Sequence, residues 1–155
     1  MEFERVAAMK IRKIKENKKQ FLSLLLLADE QENMIDRYLE RGTMYVLDDN
    51  GVKAECVVAD EGDGILEIKN IATVPEYQGK GYAKALIDFI VKEYADKYSV
   101  LQVGTGDSPL TVPFYEKCGF VRSHIIPNFF TDNYDHPIFE CGVRLVDMVI
   151  FQRSL

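Results

Sequence analysis

Apolar and polar positions alternate in some stretches of this 155-residue chain and recur every three to four residues in others. Residues 9–14 partly alternate apolar and basic side chains, which predicts a strand. Residues 17–28 and 31–41 carry helical spacing. In the second, Met34, Ile35, Tyr38 and Leu39 share a face, and Gly42 stands at its end as a stop. Strands are predicted at 44–47 and 52–59, joined by the hairpin signal Asp48-Asp49-Asn50-Gly51. A further turn, Glu61-Gly62-Asp63-Gly64, leads into a strand at 65–74. Ala83, Leu86, Ile87, Ile90, Val91 and Tyr94 define an amphipathic helix over 81–97. A short strand at 100–105 ends in the loop Gly104-Thr105-Gly106-Asp107-Ser108-Pro109. A short helix at 111–117, stopped by Cys118-Gly119, precedes a strand at 120–126, a long aromatic and polar loop at 127–142 and a final strand at 143–153. Hairpins come before a strand-helix-strand portion, so the pattern predicts a mixed α/β sheet with helices on both faces.

The strand at 65–74 is irregular. Leu66 and Ile68 are apolar at even positions, whereas Ile71 and Thr73 continue the inward face at odd ones. A slip of one residue near Lys69-Asn70 is what a β-bulge produces. A strand buried on both faces would give the same pattern.

Composition adds bounds. The length suits one domain, 1–155, with a sizeable core. A formal charge of −6 and a pI of about 5.0 argue against nucleic-acid binding, which needs a basic face. Cys56, Cys118 and Cys141 are widely spaced, with no Cys-x-x-Cys, so no zinc site is expected. An odd cysteine count with no secretory signal reads as reduced thiols in the cytoplasm. The longest apolar run, at 24–28, is too short to span a bilayer.

The candidate chemistry begins at Val74-Pro75-Glu76-Tyr77-Gln78-Gly79-Lys80-Gly81-Tyr82-Ala83. Here a strand, a glycine-rich loop and a helix start follow in order. Helix-start N–H groups and the positive end of the dipole face such a loop, which makes an anion site. Glycines at 79 and 81 let a phosphate approach the backbone. A Walker A loop would need Ser or Thr after the lysine, and Gly81 follows Lys80. A dinucleotide fingerprint needs three spaced glycines, and two stand here. A plain tight turn is the remaining reading.

These residues resemble the GNAT family of N-acetyltransferases. The family's acyl-CoA signature is Gln or Arg, two residues, Gly, one residue, then Gly or Ala, matched by Gln78-Gly79-Lys80-Gly81-Tyr82-Ala83. Val112-Pro113-Phe114-Tyr115-Glu116-Lys117-Cys118-Gly119-Phe120 resembles its second cofactor segment, and the element order over 9–153 is similar to the family's. The resemblance implies an α/β (α+β) fold: a mostly antiparallel sheet of about seven strands, the fourth bulged, with about four flanking helices. It implies acetyl-CoA (coenzyme A) as cosubstrate, no metal, and acetyl transfer to a primary amine of a small molecule or peptide.

It also implies roles. The CoA pyrophosphate would sit on N–H groups of Gly79, Lys80, Gly81, Tyr82 and Ala83, flanked by Gln78 and Lys80, with Lys84 reaching from the first turn. Solvated surface lysines are the alternative for Lys80 and Lys84. Ile71, Ala72 and Thr73 would offer a strand edge to the pantetheine amides. Most relatives have Val where Thr73 stands, a change that a backbone contact tolerates. Tyr115 is the candidate general acid for the leaving thiolate, a phenol of ordinary pKa ~10; as a core aromatic beside Phe114 it would have no such role. Ser108 is favoured over Asp107 for a pantetheine contact, because an ionised Asp cannot donate.

For the base that deprotonates the amine, Glu67 on the fourth strand comes first, with an ordinary exposed carboxylate as its alternative reading. Asp147 comes second, because it stands amid an apolar strand. Glu140 and His136 follow, and His124 is the one other histidine. The resemblance implies direct attack, with the N–H of Ile71 or Ala72 polarising the carbonyl. A Cys118 nucleophile is the rival, and a non-catalytic acyl-CoA-binding or sensor module on the same fold is the other class of function. The acceptor would be shaped by 24–32 and 127–142, the latter with Phe129, Phe130, Tyr134 and Phe139 beside Asp132, Asp135 and Glu140. The same loop would instead pack on a second subunit in a homodimer. Aminoglycoside, polyamine, amino acid and peptide N-terminus all stay open.

Overall fold

The structure, a computed structural model, describes residues 9–155. In chain order it contains β1 (Lys10–Ile14), a 3-10 turn (Lys18–Phe21), α1 (Leu22–Ala28), α2 (Glu32–Ile35), β2 (Thr43–Asp48), β3 (Val52–Asp60) and β4 (Ile65–Thr73). A second 3-10 turn (Pro75–Tyr77), α3 (Tyr82–Tyr94), β5 (Val100–Gly106), α4 (Val112–Lys117) and β6 (Val121–Ile126) follow. The chain closes with α5 (Phe129–Asn133), β7 (Phe139–Glu140), β8 (Val143–Arg144) and β9 (Met148–Ser154). The sheet runs in the order β1-β2-β3-β4-β5-β9-β6, and β7 with β8 makes a separate ribbon. Among the described residues no helix is long and apolar enough to cross a membrane.

Two units divide these elements, one of residues 9–60 with Ile68–Glu93, the other of Glu61–Glu67 with Tyr94–Leu155. In the first, β2 pairs antiparallel with β1 and β3, with a register shift between Leu47 and Asp48. The hairpin signal holds. Asn50 and Gly51 both take positive φ, 56° and 107°, the left-handed backbone that tight hairpin connections favour. Ile14, Leu25, Ile35, Tyr38, Leu39, Met44, Val46 and Val57 form one buried cluster of this unit.

The helix expected over 31–41 is cut short. Only Glu32–Ile35 is helical, and the chain continues to Gly42 in tighter turns such as Arg37 N–H to Met34 O. Lys18 holds the end of these turns. Its ammonium donates to the carbonyls of Leu39 (2.8 Å), Glu40 (3.3 Å) and Gly42 (2.7 Å), groups that a helix end leaves without partners. A side chain at Gly42 would meet Tyr38 O and Val57 Cγ1 at 2.8 Å, so only glycine fits.

Burial in β4 alternates without a slip. Leu66, Ile68, Asn70 and Ala72 are buried, and the intervening residues are half-buried. The expectation that Ile71 and Thr73 take the inward face is therefore corrected. The change in hydrophobic parity comes from a polar side chain in a buried place. Asn70 Nδ2 donates to Leu25 O (3.0 Å) and to the Tyr38 hydroxyl (3.1 Å), which donates to Asp29 Oδ2 (2.9 Å). Hydrogen bonding offsets the desolvation that would otherwise exclude an amide from a core.

Glu55, opposite Val46 in the β2–β3 pair, is fully buried, and its carboxyl oxygens have no hydrogen-bond partner. Burial pushes its carboxyl well above the ordinary range. A raised folded-state pKa gives stability that is complete below the unfolded value, ~4.5, and is lost as pH climbs toward the folded one. Glu55→Gln is expected to match the parent Tm near pH 4 and to exceed it by a margin that grows as pH rises from there toward the folded-state pKa. Thermal unfolding across that range checks this, and a pH-independent difference would contradict it.

In the second unit, β9 pairs antiparallel with β5 from Val100↔Ser154 to Gly106↔Met148, and with β6 on its other side. α4 opens with Pro113 in its first turn and ends at Lys117, with Cys118 at its C-cap and Gly119 following at φ 89°. The loop expected at 127–142 contains structure of its own. α5 and the β7–β8 ribbon surround a small core of Phe130, Ile138 and Leu145. The strand expected over 143–153 breaks at 145–147, because Leu145 turns into that core.

Candidate active site

The glycine loop lies within the first unit. Gly79 and Gly81 take φ 78° and 86°, and a Cβ built on either meets no atom within 4 Å. The backbone thus turns in the left-handed region beside open space, a cradle that fits a phosphate group and that side chains would fill. The first helical bond of α3 runs from Ala85 N–H to Gly81 O, 3.0 Å. First-turn N–H groups of a helix have no acceptor inside it, so those of residues 82–84 suit an anion.

The neighbouring hairpin braces this loop. The Tyr82 side chain is buried, and its hydroxyl donates to Asp49 Oδ2 at 2.6 Å, so Tyr82 offers a ligand only its backbone. Val74 N–H donates to Lys53 O (2.8 Å). Lys53 Nζ stands 4.1 Å and Lys80 Nζ 5.5 Å from the centre of the Tyr77 ring. Gln78 Nε2 donates to Thr73 O (3.3 Å), tying the loop to the end of β4. Lys84 is paired with Asp88, 2.8 Å away toward the C-terminal end of α3. Of the two lysines, Lys80 is thus the one held on the loop. Sequence reasoning treated Asp49 only as a turn residue. Its buried place next to an Asn-Gly turn carries no local pattern.

The second unit holds Glu67, Ser108 and Tyr115. Tyr115 is 7% exposed and fixed by rings on three sides: Phe114 at 5.3 Å, Phe120 at 5.8 Å and Phe151 at 6.4 Å between centroids. Ser108 is buried, and its Oγ accepts the Leu110 N–H (3.1 Å), so it first shapes the turn after β5. Asp107 is drawn to Arg122, with Nη2 3.0 Å from Oδ1. Glu67 accepts a 2.5 Å hydrogen bond from Gln102 Nε2, and Gln152 Nε2 donates to Gln102 Oε1 at 2.7 Å. Neither glutamine was singled out from sequence. The available signal was the one Asn70 gives: an amide inside an apolar strand.

The other base candidates fare differently. Asp147 is not inside a strand: it precedes β9 and accepts the N–H of Asn128, 2.8 Å, where the chain takes φ 58° before α5. That is a structural reason for a carboxylate there. His136 Nδ1 pairs with Asp135 Oδ1 at 2.5 Å, and His124 Nδ1 lies 2.8 Å from Ser123 Oγ. Glu140 has one buried carboxyl oxygen without a partner. Cys118 is buried at the end of α4, its carbonyl accepting from Arg153. No group of three or more His, Cys, Asp or Glu among the described residues could hold a metal ion.

The first unit holds a glycine cradle at a helix start and the second a ring-held tyrosine within a short helix, and comparison with known proteins gives the class as acetyltransferase. The Acetyltransferase (GNAT) domain family matches residues 40–122. A Bacillus subtilis (strain 168) protein named Uncharacterized N-acetyltransferase YvbK is 36% identical over 137 residues, 86% of this chain and 88% of that one. The crystal structure of a GNAT family acetyltransferase from Elizabethkingia anophelis with acetyl-CoA bound matches at TM-score 0.90 and 32% identity, covering 96% of this chain and 99% of its own. A Bacillus subtilis acetyltransferase in complex with CoA matches at TM-score 0.85 and 34% identity, covering 95% and 99%. The chain belongs to the GNAT acetyltransferase family.

Proposed function

We propose that this chain is an acetyl-CoA-dependent N-acetyltransferase acting on a primary amine of a small molecule or peptide, with both substrates bound together. The observation that carries this reading is the open cradle at Gly79 and Gly81 on the start of α3. Relatives crystallised with acetyl-CoA and with CoA support it.

Acetyl-CoA supplies a thioester, whose acetyl carbon is open to an amine. The N–H groups of Gly79 to Ala83 hold the pyrophosphate, and the backbone of Ile71, Ala72 and Thr73 aligns the pantetheine arm. Thr73 O already accepts from Gln78 at the end of that segment. Glu67 takes the proton from the acceptor ammonium, directly or through a water, and frees the lone pair for attack. The N–H of Ile71 or Ala72 stabilises the charge that grows on the carbonyl oxygen. Tyr115 donates its hydroxyl proton toward the departing thiolate. Ser108 contributes through the hydroxyl proton that its turn does not use. The cleft beside α5, of about 150 Å³ and lined by Phe130, Tyr134, Asp135, His136 and Arg144 among others, supports an acceptor with apolar and charged parts.

Thiol release from acetyl-CoA, measured with spermidine, kanamycin, leucine and a short peptide with a free N-terminus, tests the reading. Amine-dependent release with at least one is the expected result. Tight CoA binding without release from any amine would favour the sensor. Cys118→Ala is expected to keep turnover within about twofold, with intersecting double-reciprocal lines, because direct attack needs no enzyme nucleophile. Parallel lines and a dead Cys118→Ala variant would restore the Cys118 rival.

A further inference from the structure

Three polar side chains form a file within the second unit. Gln152 on β9 donates to Gln102 on β5, 2.7 Å, and Gln102 donates to the Glu67 carboxylate, 2.5 Å. The strands themselves set up the first contact. Gln102 and Gln152 are register partners in the β5–β9 pair, so their side chains stand on one face of the sheet within reach of each other. Buried apolar residues stand beside them: Leu101 and Val103 flank Gln102 on β5, and Ile150 and Phe151 precede Gln152 on β9. Two half-buried amides amid such strands are costly without partners, and each is satisfied through the other or through Glu67.

The direction of the file is fixed by its charged end. An ionised carboxylate only accepts, so Gln102 must present its NH2 group to Glu67. Its carbonyl oxygen then faces away and needs a donor, which is the NH2 group of Gln152. The opposite amide orientation would set a carbonyl oxygen against the carboxylate. Gln152 thus holds Gln102, and Gln102 holds Oε1 of Glu67. A glutamate side chain has three rotatable bonds, and restraint of this kind is what keeps a catalytic group in a productive geometry.

We propose that Gln102, oriented by Gln152, is the positioning residue for the Glu67 carboxylate that removes the acceptor's proton. In that step an N–H bond of the ammonium breaks, an O–H bond forms on the carboxylate, and the electron pair stays on nitrogen for attack. The inference rests on the reading of Glu67 as the base and adds the means by which the fold aims it. Tyr115 packs against Phe151, which in β9 points opposite to Gln152. The carboxylate and the phenol are therefore supported from opposite faces of the sheet, as suits groups that act on the attacking and leaving atoms.

The test is a double-mutant cycle on the full chain, with acetyl-CoA and the fastest amine of the panel above. Gln102→Met keeps length and removes the donor. It is expected to lower kcat about tenfold while KM for acetyl-CoA stays within about twofold and Tm is not lowered. Gln152→Met should lower kcat by a smaller factor, about threefold, because it acts one step further away. In a Glu67→Gln background, Gln102→Met should change kcat by less than about twofold. Unchanged kcat in Gln102→Met, or effects that multiply in the double variant, would overturn the positioning role while leaving Glu67 as base. Full activity of Glu67→Gln, or no turnover with any amine, would instead remove the base assignment and this inference with it.

Discussion

Tyr115→Phe is expected to lower kcat about 100-fold and to leave the CoA dissociation constant within about twofold. The substitution removes one hydroxyl and nothing else. The ring stays clamped between Phe114, Phe120 and Phe151, so the packing of α4 on β9 is kept. The stability cost is that of one hydrogen-bonding group, about 1 kcal/mol, which in a chain of this length lowers Tm by about 2–4 °C. A purely structural Tyr115 would show that Tm change and an unaltered kcat. Stopped-time assays of thiol release, with calorimetric CoA binding on the same preparation, separate the two outcomes.

How much of this was legible in the sequence depends on how far apart the cooperating residues lie. The loop from Gln78 to Lys84 is contiguous, so its strand-before, helix-after context could be read directly, and α3 has enough turns for its period to show. Residues 127–142 could not be read that way. A five-residue helix and two-residue strands are too short for either period to repeat. Residues 143–153 look like one strand because Leu145 and Val146 are apolar, yet Leu145 serves the small core with Phe130 and Ile138. α2 is shorter than its apolar spacing implies, and the turns after it are held by Lys18, 21 residues before Leu39. Asn70, Gln102 and Gln152 carry a common signal, an amide in an apolar strand. Only the folded register says that two of them touch each other while the third binds Leu25 and Tyr38.

The second large effect concerns the glycine cradle, and three glycines allow it to be isolated from backbone strain. Gly62, Gly79 and Gly81 have φ of 85°, 78° and 86°, and in each case a Cβ would meet no protein atom within 4 Å. Alanine at any of them pays the same kind of penalty, about 1–2 kcal/mol for a left-handed L-residue. The protein therefore sees three nearly equivalent substitutions. On the proposed reading a bound pyrophosphate does not, because the methyl at 79 or 81 would stand where the phosphate approaches, whereas Gly62 sits in the turn before β4. Gly79→Ala and Gly81→Ala are expected to weaken CoA binding at least tenfold, about 1.4 kcal/mol, with Gly62→Ala at the parent affinity and all three showing a similar fall in Tm. Equal affinities across the three variants would mean that the loop is a tight turn and that the cofactor is held elsewhere. Loss of affinity in the Gly62 variant as well would mean that strain alone, felt at a distance, accounts for the effect.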